Sequence, residues 1–249
     1  YVKSYSEIML DDQDVIIHAA SPNSNDCNDP KIVEDYFLDT SKLISKASNR
    51  TIKKLIFTSS TRVYGNQTGD INEENQCIDI DSYSKMKLKI EDLLLSDKNQ
   101  FEPVIVRISN SFGYPVFKES NCWNLLAMHI CMKAINSDAI ILKSNGCEYK
   151  DFVPMNYVVD NVYDILINNY KYNIFNISSG SSQTVKSFAL FLIKYIENYL
   201  QKKVQLNLQE STQNYKHYNI LNNKLNIKFN NEFFDQEIAN LLQYCKNHY

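Results

Sequence analysis

Glycine is scarce in this chain, with five in 249 residues, at 65, 69, 113, 146 and 180. They form no Gly-x-x-Gly array, so the sequence holds no glycine-rich turn of the kind that brings a backbone against a diphosphate at a helix start. The six cysteines (27, 77, 122, 131, 147 and 245) contain no Cys-x-x-Cys, and the N-terminus does not read as a signal peptide. These thiols are expected to be reduced and not to form a disulfide framework. The four histidines (18, 129, 217 and 248) do not cluster, which leaves a metal site without support. The formal net charge is -3; a nucleic-acid surface would need a basic stripe, which is missing. No apolar run reaches transmembrane length. A soluble cytoplasmic protein with no nucleic-acid or membrane partner is expected.

What is present is a chain with 44% hydrophobic residues, long enough for one large core or two modest lobes. Asp14 to Pro22 is a short apolar run ending at a turn and reads as a buried parallel strand. Pro30 to Ala47 shows helical spacing, Lys53 to Ser59 is a second buried strand, and Pro103 to Ile108 a third. Further on, Asn124 to Ile135, Asn156 to Tyr170, Val185 to Leu200 and Phe234 to Asn247 read as helices. Ala139 to Leu142 and Ile174 to Ile177 read as strands, Asn145-Gly146 as a turn, and Gln201 to Lys216 as a polar connection. Alternating strands and helices predict a parallel sheet with helices on both faces.

Tyr83 and Lys87 open another predicted helix that runs to about Leu95, capped by Asp81 or Ser82. At that spacing the two side chains share a face, one turn apart. Moving a phenol pKa from about 10 to near neutrality takes roughly 3 units, about 4 kcal/mol. A cation about 4 Å away at an effective dielectric of about 20 supplies about that much. The pair is thus a candidate for proton transfer, although Tyr-x-x-x-Lys also arises by chance in a chain with 17 tyrosines. In open parallel sheets ligands bind beyond the carboxyl ends of the strands. That rule marks His18 to Pro22, Ser59 to Gly65 and Ser109 to Pro115, which places Ser60 and Asn110 on the functional edge.

Six motifs now stand in order: Asp14-Val-Ile-Ile-His-Ala-Ala20, Phe57-Thr-Ser-Ser-Thr-Arg-Val-Tyr-Gly65, Tyr83-Ser-Lys-Met-Lys87 with Glu91, Arg107-Ile-Ser-Asn-Ser-Phe-Gly113, Asp151-Phe-Val-Pro154 and Phe175-Asn-Ile-Ser-Ser-Gly180. Together they resemble the extended short-chain dehydrogenase/reductase family, in its NAD-dependent epimerase/dehydratase branch acting on nucleotide sugars. The resemblance implies a Rossmann-like doubly wound α/β sheet over residues 1–112, N-terminally truncated. It further implies a smaller mixed α/β substrate lobe over 113–249, some of whose segments return to the sheet. It makes Ser60, Tyr83 and Lys87 the catalytic set. Ala19, Ala20 and Thr58, with Tyr83 and Lys87, would lie against NAD or NADP, and Asn110 and Lys150 against the nucleotide-sugar substrate. Each position also has a plainer role: Ser60 as a strand-end hydroxyl satisfying a backbone group, Lys150 as a solvated charge, Gly113 and Pro115 as turn residues. The helices from Pro30 and Tyr83 resemble those that make homodimer contacts in the family.

The chain also departs from the family pattern. The Gly-x-x-Gly-x-x-Gly turn and roughly the first three strands are not in this sequence, which is expected to be a fragment of a longer protein; the alternatives are that the cofactor half has been lost, or that residues 1–10 or another chain cover the apolar edge at Val15 to His18. Tyr36 stands where an asparagine is usual, Tyr157 in place of an aspartate, and Lys150 in place of an arginine. Lysine keeps the charge but loses the bidentate fork. Thr61-Arg62 occupies the place of the Asp-Glu pair of 4,6-dehydratases, so that chemistry is not expected. The resemblance therefore implies an NAD(P)-dependent nucleotide-sugar epimerase or reductase. The alternatives are a degenerate, non-catalytic relative that has lost cofactor binding, and a reductase of small carbonyl compounds.

Overall fold

Each strand of the central sheet is short and apolar, and each helix beside it presents one greasy stripe. The computed structural model describes residues 5–210, 213 and 215–249. Strand β1 (Val15–His18) leads to α1 (Pro30–Ser48). Asp29 caps α1 by accepting from the Lys31 amide, and Pro30 fills its first turn, where a missing N–H costs nothing. Strand β2 (Lys54–Ser60) follows, then β3 (Gly69–Ile71), α2 (Ser82–Leu94) and β4 (Glu102–Ile108). Next come β5 (Asn110–Phe112), α3 (Leu126–Asn136), β6 (Ala139–Leu142), β7 (Tyr149–Lys150), β8 (Phe152–Pro154) and α4 (Met155–Ile167). The chain closes with β9 (Ile174–Ile177), β10 (Gln183–Thr184), α5 (Val185–Leu200), β11 (Gln205–Leu208), β12 (Tyr218–Ile220) and α6 (Asn231–His248).

The main sheet has the order β1-β2-β4-β9, all parallel. Strand β2 is covered on both faces. Leu55 and Phe57 pack with Ile44, Met86 and Ile90 of α1 and α2, while Ile56 faces Val106, Val158 and Ile165 on the α4 side. The predicted two-faced parallel sheet is therefore present, and β9 brings a late segment into it. A second core lies under α3, α5 and α6, around Ile130, Phe188, Leu192, Phe234 and Leu241. No helix among the described residues is long and apolar enough to cross a membrane.

Seven short strands escape the sequence reading: β3, β5, β7, β8, β10, β11 and β12. They run two to four residues, too few to show a period, and they pair with partners far away in the chain, as Gly69 does with Tyr218. Strand β11 falls inside the stretch 201–216 read as a connection and pairs in parallel with β6; residues 211, 212 and 214 of that stretch lie outside the described residues. The Asn145-Gly146 turn is as expected. Gly146 has a φ of +70°, and a Cβ there would sit 2.8 Å from that of Lys186. Strand β1 pairs only with β2 among the described residues, and Ile17 is 48% exposed. Of the segment 1–10, Tyr5, Ile8 and Leu10 pack into the core beneath α1 and make no ladder with β1, while residues 1–4 lie outside the described residues.

Candidate active site

Helix α2 begins with a capping box. Of the two cap residues allowed by the sequence, Asp81 takes the position: its side chain accepts from the Ser84 amide, and the Ser84 hydroxyl accepts from the Asp81 amide. Tyr83 therefore sits in the first turn and Lys87 in the next. The Lys87 ammonium is buried, lies 5.6 Å from the Tyr83 ring centre and 4.8 Å from that of Phe57, and donates to the Thr58 carbonyl at 2.8 Å. Burial draws its pKa down to about 8. Thr58 turns its own hydroxyl to the His18 carbonyl, 3.4 Å away, which ties the ends of β2 and β1 together.

The Tyr83 phenol is raised above its ordinary pKa. Burial is the largest cause, and the neighbouring Ser60 hydroxyl and the Arg62 charge pull the other way. The expectation that Lys87 brings this phenol toward neutrality is thus corrected. The ammonium donates to the Thr58 carbonyl, and desolvation of the phenolate outweighs the Ser60 hydroxyl and the Arg62 charge. Ser60 also accepts from the Arg62 amide at 3.2 Å, so its plainer role as a strand-end cap holds together with its contact to Tyr83. Arg62 pairs with Asp81 at 2.5 Å and lies 6.0 Å from the Tyr83 ring centre. Ala19 and Ala20, beyond β1, are exposed.

Beneath Ser60 runs a buried polar network that sequence reasoning missed as a unit. The Ser59 hydroxyl donates to Glu91, and Glu91 pairs with Arg107 at 2.6 Å. Arg107 also donates to the Tyr64 hydroxyl at 3.0 Å, and Tyr64 donates to Asn176 at 2.7 Å. Ser59 precedes Ser60 and Tyr64 follows it by four residues, so the network pins both flanks of the turn that carries Ser60. Glu91 and Arg107 stand in quoted motifs, but nothing in their spacing announces that they meet across α2 and β4.

Asn110 and Lys150 come together elsewhere, in a cleft of about 680 Å³ that Lys143, His129 and Phe152 also line. Ser60, Tyr83 and Lys87 do not line it. The two groups are linked through the sheet, since Ser60 is in register with Ile108, two residues before Asn110. Lys150 pairs with Glu148 at 3.2 Å and is about one-third exposed. Gly113 allows a close approach behind this cleft, because a Cβ would meet Glu237 Oε1 at 2.7 Å.

Asp151 holds the cleft's frame. Its carbonyl accepts from the Ser109 hydroxyl at 2.8 Å and the Asn110 side-chain amide at 2.9 Å, and its buried carboxyl accepts from the Ser179 amide and hydroxyl. Burial, against those hydrogen bonds, raises its pKa to about 6. Below about pH 4 the group is protonated both folded and unfolded. Through the interval to about 6 the unfolded chain ionises first, so the folded state progressively loses about 3 kcal/mol. Asp151→Asn removes that term, and Ser179 can turn its proton to the Ser181 carbonyl at 3.0 Å. The stability of the variant relative to wild type is expected to rise by about 3 kcal/mol between pH 4 and 7 in urea melts. An equal difference at both pH values counts against the assignment.

The sequence model of the NAD dependent epimerase/dehydratase family matches residues 3–178. No curated protein matches the sequence. Among solved structures, MoeE5 in complex with UDP-glucuronic acid and NAD superposes with a TM-score of 0.80 at 13% identity, covering 99% of this chain and 85% of that one. UDP-N-acetylglucosamine 4-epimerase from Methanobrevibacter ruminantium M1 gives 0.80 at 19%, over 96% and 79% of the two chains. UDP-glucuronic acid 4-epimerase from Bacillus cereus gives 0.78 at 19%, over 98% and 79%. At these identities the likeness is one of fold, and that fold is Rossmann-like. With the family motifs spanning most of its length, the chain belongs to the NAD dependent epimerase/dehydratase family.

Proposed function

We propose that this chain is an NAD(P)-dependent nucleotide-sugar epimerase or reductase working through Ser60, Tyr83 and Lys87. The observation that carries the reading is the Ser60 hydroxyl beside the Tyr83 phenol at the rim of the sheet, with Lys87 one helical turn along. In the reducing direction Tyr83 gives its proton to a sugar oxygen held by Ser60; in the oxidising direction it takes that proton back, helped by the neighbouring Ser60 hydroxyl and the Arg62 charge. A bound nicotinamide supplies the hydride exchange with the sugar carbon. Relatives of this fold are described with NAD and with NADPH, which supports either cofactor.

The donor set fits one end of such a cofactor. Lys87 gives one N–H to the Thr58 carbonyl and, as an ammonium, keeps two for a ribose. The phenol, Thr58 and the small exposed Ala19 and Ala20 complete that end. The diphosphate end has no glycine-rich turn among the 249 residues. The isolated chain is therefore expected to bind NAD weakly, and a micromolar Kd by titration would contradict this. The sugar nucleotide belongs in the cleft of Asn110 and Lys150, with Lys143 adding a second cation. In this reading residues 1–112 serve the cofactor and 113–249 mainly the substrate. A cytoplasmic homodimer through α1 and α2 belongs to it as well; the apolar groove of about 470 Å³ lined by Val33, Phe37, Leu38 and Met86 supports that contact, and sedimentation velocity checks it.

The second reading is a degenerate binding relative. Thermal melts with UDP-, GDP-, CDP- and dTDP-sugars separate the two. A tight ligand in excess stabilises by several kcal/mol, and no shift with any of them favours the degenerate relative.

A further inference from the structure

Tyr36 departs from the family pattern, and taken alone it looks like decay. Its surroundings are ordered around it. The ring is 8% exposed, on the buried face of α1. The phenol donates to the Ala20 carbonyl at 2.8 Å and lies 3.4 Å from His18 Nε2, which is 3.2 Å from the Thr40 hydroxyl. The phenol has a single proton, and Ala20 takes it. Toward His18 it can only accept, and the Thr40 hydroxyl can donate to or accept from the same ring nitrogen, so the exchange there follows the His18 tautomer. Burial, with the Lys87 charge, holds His18 down to about 4, so the ring is neutral at physiological pH. Tyr5 closes the cluster edge-on, 5.1 Å from the His18 ring and 6.4 Å from the Tyr36 ring. An asparagine reaches less far from the helix and has no ring to pack in this box.

We infer that Tyr36 is a positioning residue that clamps the turn at Ala19 to Ser21 against α1, through Ala20 and His18, and so sets the wall of the site on which a nicotinamide ribose would rest. The clamp stands on geometry alone; its consequence for the cofactor rests on the NAD(P) reading above.

Tyr36→Phe keeps the ring and removes only the hydroxyl. Amide hydrogen exchange at Ala19, Ala20 and Ser21 is expected to speed up about tenfold, with the melting temperature within a few degrees of wild type. NADH affinity is expected to weaken about tenfold while UDP affinity stays within about twofold. Tyr36→Asn, which installs the residue usual in the family, is expected to loosen the turn as Tyr36→Phe does. Unchanged exchange at residues 19–21 in both variants overturns the clamp, whatever ligands bind. Parallel losses of NADH and UDP affinity, or a Tyr36→Asn chain that binds NADH more tightly than wild type, overturn the positioning role. A wild-type chain whose NADH binding is too weak to titrate takes away the cofactor consequence, and the exchange rates still decide the clamp.

Discussion

Tyr83→Phe is expected to lower the turnover of a sugar nucleotide by about 10²- to 10⁴-fold, the range that a positioned acid or base contributes. The substitution keeps the ring that packs with Met86 and Ile90 beneath α1 and α2. It removes one oxygen, and with it the phenol's polar contact with the neighbouring Ser60 hydroxyl. The stability cost is therefore about 1 kcal/mol. A large loss of rate with a small loss of stability is the signature of a proton-transfer group; equal losses would describe a packing residue. Because burial keeps the phenol protonated at neutral pH, the wild type is set up to donate. Rates measured with NADH and a ketosugar nucleotide, beside urea melts of both chains, make the comparison. A variant that retains half of the wild-type rate would remove Tyr83 from the chemistry.

The second large effect lies under the site. Glu91→Ala is expected to cost about 3–5 kcal/mol, because it strands the Arg107 guanidinium in a dry interior. The Arg107 side chain is 5% exposed and that of Glu91 2%. Burial works against the Arg107 charge, yet its pKa ends above the ordinary arginine value, since Glu91 more than compensates. The same substitution deprives Ser59 of its acceptor. Glu91→Leu combined with Arg107→Met leaves no lone charge and is expected to cost less than Glu91→Ala alone. Urea midpoints of the variants decide the matter: a loss below about 1 kcal/mol for Glu91→Ala would show that the pair does not hold the turn bearing Ser60.

The two effects bear on each other. Ser60 can meet Tyr83 only if its turn is held still, and that turn is pinned at Ser59 through Glu91 and at Tyr64 through Arg107. Loosening the network should therefore reach the chemistry as well as the fold, whereas removing the phenol should leave the network whole.

Local pattern was enough to read the main strands, the six helices and the two candidates for the cap of α2, because each depends on residues within a few positions of one another: an apolar run, a 3.6-residue stripe, a carboxylate or hydroxyl before a first turn. It also carried Tyr83 and Lys87 to one helix face and Ser60 to the rim of the sheet. It did not reveal that Lys87 donates a hydrogen bond to the Thr58 carbonyl, that burial lifts the Tyr83 phenol, or that Glu91 meets Arg107. Nor did it reveal that Asn110 and Lys150 share a cleft apart from Tyr83, or that Tyr36 holds the Ala20 carbonyl. Those outcomes belong to the tertiary structure. Desolvation and the choice of hydrogen-bond partner depend on which atoms, distant along the chain, are left beside a group once water has been expelled.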